Sequence, residues 1–371
     1  MSTPLIPVAE PDLSELEERY VTEAVRSGWV SSIGAFLERF EKDFAKFCET
    51  EHCVALSNGT VAIHLALVSR GIGPGDEVIV PDLTFAATAA AVVHAGATPV
   101  LVDVDPKTWT IDPALLERAI SAKTRAIIPV HLYGHPADMD AIRAVIAARE
   151  IFILEDAAEA HGARFLGKRV GSLGDAASFS FYGNKLLTTG EGGCIVTNDA
   201  RFAARVRFLK DHAMSADRRY LHPEVGYNYR MTNLQAALGC AQLERFAEIL
   251  ERHGRVLEWY REELAGSEVT LNPHSPKTDP VCWLVTAVLP GQWSVERQKK
   301  LMTRLRSQDG IDSRPFFVPM HEMPPYENCT FIRGIESHSS DLSVRGICLP
   351  SSSRMTREQV KRVSQSLISA L

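Results

Sequence analysis

A chain of 371 residues, 45% hydrophobic and 23% charged, has the make-up of a soluble globular protein long enough for two domains. Its 40 basic and 46 acidic residues give a net charge of −6, which argues against nucleic acid as a partner. Seven cysteines, scattered and odd in number, fit neither a disulfide framework nor a thiolate zinc site and point to a reducing cytoplasm.

The first residues lack the basic start and apolar run of a signal peptide. Ser14 and Glu17 form a capping-box pattern ahead of apolar positions at helical spacing, with Gly28 as the stop. A second helical stripe follows at Phe36, Phe40, Phe44 and Phe47. Short apolar runs then alternate with amphipathic ones. The expected strands are 53–57, 77–81, 99–104, 126–130, 151–155, 177–181 and 194–197. The most apolar stretch, 86–102, is broken by Thr88, His94, Gly96, Thr98 and Pro99, so it reads as a buried helix and strand and not a membrane span. Continuously apolar strands separated by helices predict an α/β domain, a mainly parallel sheet with helices on both faces. A long helix is expected from Thr232 past Tyr260. Beyond it, a strand over 281–289 and helices over 295–308 and 356–370 predict a smaller α+β domain. The expected division is 1–245 and 246–371.

In an open α/β sheet, ligands gather at the carboxyl ends of the strands. Asn58-Gly59-Thr60 follows the first strand and opens a helix. That turn is either a phosphate site made of backbone N–H groups or a plain strand-to-helix connection. The strand over 151–155 ends in Glu155-Asp156. A carboxylate there needs a cation or hydrogen bonds, as a helix cap, an ion pair or a ligand contact. Lys185 lies between two apolar strands in a glycine-rich segment. A lysine in such a setting is either solvated or a desolvated amine suited to imine chemistry. Pyridoxal phosphate (PLP) needs a phosphate anchor, a carboxylate for its ring nitrogen and a lysine for its aldehyde. Gly59-Thr60, Asp156 and Lys185 supply all three, each after a strand of one sheet.

The segments Ser57–Thr60, Asp156–Gly162, Ser178–Lys185 and Gly226–Met231, the last followed by Gln235-Ala236-Ala237, resemble the DegT/DnrJ/EryC1/StrS sugar aminotransferases. That resemblance implies the aspartate-aminotransferase fold, fold type I of the PLP-dependent transferases. It implies that Gly59, Thr60 and Ser180 bind the cofactor phosphate, that Phe85 stacks on the ring, and that Asp156 faces the ring nitrogen. Glu159 lies near the 3-hydroxyl, and Lys185 carries the cofactor as a Schiff base. Asn228 is expected to reach the phosphate of a neighbouring subunit, which makes the active unit a homodimer with shared sites. Some relatives carry His at the lysine position and dehydrate sugars; Lys185 favours transamination.

The segments 6–11, 27–34 and 130–136 most resemble members that aminate GDP-4-keto-6-deoxy-D-mannose at C4 with L-glutamate, giving GDP-perosamine for surface polysaccharide. Arg230, Arg314 and His321 are candidate contacts to the nucleotide sugar. The alternatives are a UDP- or dTDP-linked keto sugar, or a regulatory protein that keeps the fold without catalysis. Two other patterns carry less. The run 162–168 resembles a P-loop, but Arg169 stands where Ser or Thr is needed, so a hairpin is expected. His131 and His135 are spaced like a metal pair, yet Gly134 and Pro136 argue against a helix and for satisfied loop histidines.

Overall fold

The structure is a computed structural model that describes residues 4–371. Ser14 caps the helix Glu15–Arg26 through the expected box. Its hydroxyl accepts the Leu16 N–H, while its own N–H donates to Glu17 at 2.7 Å. Such a cap is worth about 1 kcal/mol. In the helix Ala35–Phe47 the buried Phe40 and Phe44 face the sheet. Their rings meet Phe181 edge-on at 5.2 and 5.0 Å, and Phe44 meets Phe179 at 5.1 Å. Removing a buried ring of this kind costs about 3–5 kcal/mol, and here it would loosen the strand that leads to Lys185.

The central sheet has eight strands. In spatial order they are His52–Leu56, Gly193–Thr197, Ala176–Ser180, Phe152–Asp156, Thr124–Ile127, Glu77–Pro81, Thr98–Val102 and Thr330–Ile332. Gly193–Thr197 runs antiparallel to both neighbours, and the remaining pairings are parallel. The expected α/β architecture is thus observed, with most strand limits shifted by one to three residues. Side chains alternate between two cores, as the two-residue period of a strand demands. Cys53, Ala55, Ile79, Ile127 and Ile153 join one, together with Phe40 and Phe44. Val54, Leu56, Val78, Val80, Ala126 and Leu154 join the other, with the helices Gly59–Ser69 and Ala200–Lys210. The stretch 86–102 forms the helix Ala87–His94 and the strand Thr98–Val102. Among the described residues, no helix is long and apolar enough to cross a membrane.

The single long helix expected from Thr232 is two helices, Asn233–Glu244 and Phe246–Glu263. They part at Arg245, which leaves helical geometry at φ −93° and ψ 1°. No Gly or Pro marks the break. It coincides with ion pairs, each at 2.8 Å, from Arg245 to the buried Asp12 and Glu17. A long-range pull of that kind leaves no trace in local periodicity.

A third core joins Val256, Tyr260, Val285, Leu301, Ile347 and Val363 beneath an antiparallel sheet. That sheet runs Thr270–Leu271, Val285–Val288, Gly346–Leu349, Arg314–Pro315. The helices Val295–Asp309 and Arg357–Ala370 match expectation. Residues cross position 245 in both directions. Ile6 belongs to the third core, while Thr330–Ile332 extends the large sheet beside Thr98–Val102.

The P-loop-like run is a hairpin, Arg164–Phe165 against Lys168–Arg169. His131 and His135 lie in a loop and form no metal pair; His131 is satisfied at both ring nitrogens, whereas among the described residues the buried His135 Nδ1 has no partner. His131 Nδ1 accepts the Ala137 N–H at 3.0 Å and its Nε2 meets Glu155 at 3.0 Å. His135 Nε2 lies 3.3 Å from the Thr278 hydroxyl.

Candidate active site

Asn58 caps the helix Gly59–Ser69, its side-chain oxygen accepting the Val61 N–H at 2.9 Å. The Gly59 and Thr60 amides in this first turn have no intrahelical acceptor and are available to an anion, with the helix dipole behind them. The turn is pressed against the sheet. A Cβ on Gly59 would sit 2.8 Å from Ser180 Cβ, and one on Gly193 would sit 2.4 Å from the Asn58 backbone. Only glycine allows Gly59, Thr60 and Ser180 to converge so closely.

Asp156 closes the strand Phe152–Asp156 and is buried. Its carboxylate accepts the Thr88 hydroxyl at 2.7 Å and the Ala158 N–H at 3.2 Å. Burial pushes its carboxyl above the usual carboxylate range, against those hydrogen bonds and the charge of Lys185. Glu159 is buried as well. It accepts the Tyr133 N–H at 2.8 Å and lies 3.5 Å from Lys185 Nζ. Burial raises it too, outweighing Lys185. The neighbouring Glu155 faces away from this group. Besides His131, it accepts the N–H groups of Gly171, Leu173 and Gly174.

The Lys185 side chain is 11% exposed. Desolvation lowers its amine from the ordinary value, although Glu159 and Asp156 pull the other way. Its Nζ lies 3.7 Å from the centre of the Trp283 ring. That indole is fixed by a 2.7 Å hydrogen bond from its N–H to the Asn184 carbonyl. Tyr133 stacks on Trp283 at 6.1 Å and on Phe317 at 5.4 Å. Phe317 in turn meets Phe85, 58% exposed, at 5.7 Å. The result is an aromatic wall beside a lysine held toward its neutral form. Below it, His161 is buried against Phe44, Phe179 and Phe181, and burial drops its imidazole to about 3.

The structure therefore brings Lys185, Asp156 and Glu159 together, with Thr88 as their supporting hydroxyl. Trp283, Tyr133 and Phe317 have no local sequence signal; Tyr133 comes from the loop after Thr124–Ile127, and the chain's course around the C-terminal sheet brings Trp283 and Phe317 to it. Asn228 and Arg230 lie on a segment that pairs with Leu56 and reaches back toward the Gly59 turn. Asn228 is exposed, its side-chain oxygen accepting from Arg230 at 3.0 Å, and Arg230 pairs with Asp211 at 2.7 Å. Arg314 is exposed on the strand Arg314–Pro315, close enough for its charge to act on Lys185. His321 is bound through Nδ1 to the buried Asp82 at 2.7 Å.

The cradle at Gly59, a buried carboxylate with hydrogen bonds only from a hydroxyl and an amide, and a desolvated lysine together fit a phosphorylated pyridine aldehyde. Comparison with known proteins agrees. Residues 11–368 match the DegT/DnrJ/EryC1/StrS aminotransferase family. The GDP-perosamine synthase of Caulobacter vibrioides is 48% identical over 375 residues, with 98% of each chain covered. That of Escherichia coli O157:H7 is 41% identical, covering 98% of this chain and 97% of its own. Among solved structures, DesV of S. venezuelae has a TM-score of 0.90 at 38% identity, covering 99% of each chain. The PMP form of Spr1654 from Streptococcus pneumoniae has a TM-score of 0.92 at 28% identity, covering 98% of each. Fold and site thus define a PLP-dependent aminotransferase. The chain belongs to the DegT/DnrJ/EryC1/StrS aminotransferase family.

Proposed function

We propose that this enzyme moves the amino group of L-glutamate to C4 of GDP-4-keto-6-deoxy-D-mannose, releasing 2-oxoglutarate and GDP-perosamine. The observation that carries the reading is the full-length 48% identity to a protein named GDP-perosamine synthase, repeated at 41% in two further bacteria. The product would feed a surface polysaccharide such as O-antigen. Seven unpaired cysteines support a cytoplasmic setting.

In this proposal the Gly59 and Thr60 amides, with the Ser180 hydroxyl, hold the cofactor phosphate. Asp156 would face the ring nitrogen and keep it protonated, while Thr88 and the Ala158 amide hold its oxygens in place. Glu159 would lie near the 3-hydroxyl and Phe85 would stack on the ring. PLP supplies the electron sink that makes loss of a proton from the donor's α-carbon feasible. Lys185 would hold the cofactor through its aldehyde, and its Nζ is the group placed to take a proton and return it. Its depressed basicity leaves more of the amine neutral, and therefore nucleophilic, at physiological pH. Trp283, Tyr133 and Phe317 screen the amine from water. Arg230, Arg314 and His321 are the candidate contacts for the diphosphate and sugar. The active unit is a homodimer in which Asn228 completes the phosphate site of the neighbouring subunit.

A second reading has a specific basis. A Streptomyces venezuelae protein named dTDP-3-amino-3,4,6-trideoxy-alpha-D-glucose transaminase is 38% identical over 97% of this chain. Comparing kcat/KM for GDP-, UDP- and dTDP-linked 4-keto sugars and for a dTDP-linked 3-keto sugar, with glutamate as donor, decides between them. The GDP sugar is expected to win by more than the tenfold that about 1.4 kcal/mol of transition-state binding provides. Preference for another nucleotide overturns the substrate assignment and leaves the transamination chemistry standing.

A further inference from the structure

Asp82 follows the strand Glu77–Pro81 at the carboxyl edge of the sheet and is completely buried. Burial raises its carboxyl above the ordinary carboxylate value, so its place inside the protein has a cost. What it holds is His321. One oxygen accepts the His321 backbone N–H at 2.9 Å, and the other meets His321 Nδ1 at 2.7 Å and accepts the Ser339 hydroxyl. The imidazole also lies flat on Phe331, with centroids 4.2 Å apart and planes 13° apart. Phe331 belongs to the strand Thr330–Ile332, which the C-terminal part of the chain adds to the large sheet.

A ring gripped this way has one free atom. Nδ1 faces a carboxylate and therefore carries the hydrogen, which makes Nε2 of the neutral ring an acceptor. Its nearest carboxylate oxygen, from Glu322, is 3.8 Å away, beyond hydrogen-bond reach. The side chain is 25% exposed. The segments that carry the two residues both connect to the site. Two residues after Asp82, Thr84 contacts Thr88, which donates to Asp156. Four residues before His321, Phe317 forms part of the aromatic wall.

Resting on the sugar-amination reading above, we propose that Asp82 is a positioning residue that locks His321 as a hydrogen-bond acceptor for a hydroxyl of the keto sugar. The logic is that of tautomer control. A carboxylate can only accept, so the lone pair of His321 is presented outward before substrate arrives. A substrate hydroxyl that donates to Nε2 is recognised; a bare phosphate oxygen at the same place meets a lone pair and is disfavoured. The dyad thus selects for the sugar and takes no part in the glutamate half of the cycle.

Three variants test this: Asp82→Asn, His321→Asn and His321→Gln. In Asp82→Asn one oxygen keeps the backbone N–H and the new NH2 donates to Nδ1, which moves the ring hydrogen to Nε2. In His321→Asn the amide nitrogen replaces Nδ1 and the outer acceptor is lost. In His321→Gln an oxygen occupies the place of Nε2. Each is assayed with whichever keto sugar the wild type turns over. Asp82→Asn and His321→Asn are expected to raise KM for that sugar about tenfold, the loss of roughly one hydrogen bond. His321→Gln should retain most of the affinity. The cofactor's absorbance change on adding glutamate alone should be the same in all. If wild type responds to glutamate but prefers a sugar on a nucleotide other than GDP, the substrate reading fails while the dyad is still tested on that sugar. Unchanged KM in both Asn variants, equal loss in Gln and Asn at position 321, or a matching loss in the glutamate half-reaction overturns the inference. The 321 pair stands even if Asp82→Asn does not fold.

Discussion

Replacing Gly59 by alanine adds one methyl group, and the surroundings say where it must go. The new Cβ would lie 2.8 Å from Ser180 Cβ and 3.3 Å from Ser180 Cα and Oγ. Ordinary carbon–carbon contact is about 3.5–4.0 Å, so turn and strand must part by roughly 0.7–1.2 Å. Gly59 has helical backbone, which alanine adopts freely, so the effect is one of contact and not of conformation. Overpacking of this size costs about 1–3 kcal/mol, offset by at most about 1 kcal/mol of helix propensity. The larger effect should be on the cofactor. If the shift loses one charge-assisted hydrogen bond worth about 1.5–3 kcal/mol, PLP affinity falls about 10- to 150-fold. Gly254 is the control. It lies within the helix Phe246–Glu263 with nothing within 4 Å of a would-be Cβ, so Gly254→Ala should stabilise by about 0.8–1.0 kcal/mol. Titrating each apo protein with PLP by absorbance, alongside urea unfolding, reads both quantities. Wild-type PLP affinity in Gly59→Ala, with Gly254→Ala behaving as expected, would refute the assignment of this turn to the phosphate.

Borohydride reduction followed by peptide mapping should leave a pyridoxyl group on Lys185. A label on Lys210, already tied to Glu41 and the Ala55 carbonyl, or on Lys168, would end the assignment. Asp156→Asn should lose most activity yet stabilise the apo protein at neutral pH. Burial raises the folded carboxyl above its ordinary 3.8, so its stability penalty grows as pH rises through the folded value and vanishes below the unfolded one. Urea unfolding against pH should show the variant's advantage shrinking on acidification; a constant advantage would contradict this. Mixing Lys185→Ala with an Asn228→Ala variant should restore partial activity, since each heterodimer then contains one undamaged site. No recovery despite demonstrated subunit exchange would place Asn228 within its own site.

The parts legible in the sequence were those with a local cause. Apolar strands of four to six residues announced the sheet, and Ser14–Glu17 announced a cap because a capping box spans only four positions. Lys185, Asp156 and Gly59 stood out because each follows a strand whose end the topology directs to one edge. The interruption at Arg245 did not, since its partners Asp12 and Glu17 lie more than 200 residues away in sequence. Trp283 and Tyr133 were missed for a similar reason. A tryptophan at the start of an apolar strand looks like ordinary core, and only the tertiary fold lays its ring against Lys185. Asp82 went unnoticed on the same ground, since its grip on His321 spans 239 positions.

The crossing of the chain at both ends bears on how this protein can be divided. Ile6 bridges to Ile311 and Val8 accepts the Ser351 N–H, so the beginning of the chain is sewn into the C-terminal unit. In the other direction, Thr330–Ile332 is laced to Thr98–Val102 by a parallel ladder. A cut after residue 245 would leave an N-terminal fragment with the Leu101 strand bare along one edge, an invitation to aggregate. The C-terminal fragment would lack the Ile6 side chain that seals its core. Separate expression of the two pieces should therefore yield insoluble or unfolded material, and co-expression should be needed to recover either. The same stitching limits rigid-body hinging about residue 245, because swinging the C-terminal unit outward would unzip a strand from the sheet. Substrate entry must rely on smaller movements, of side chains and loops along the rim.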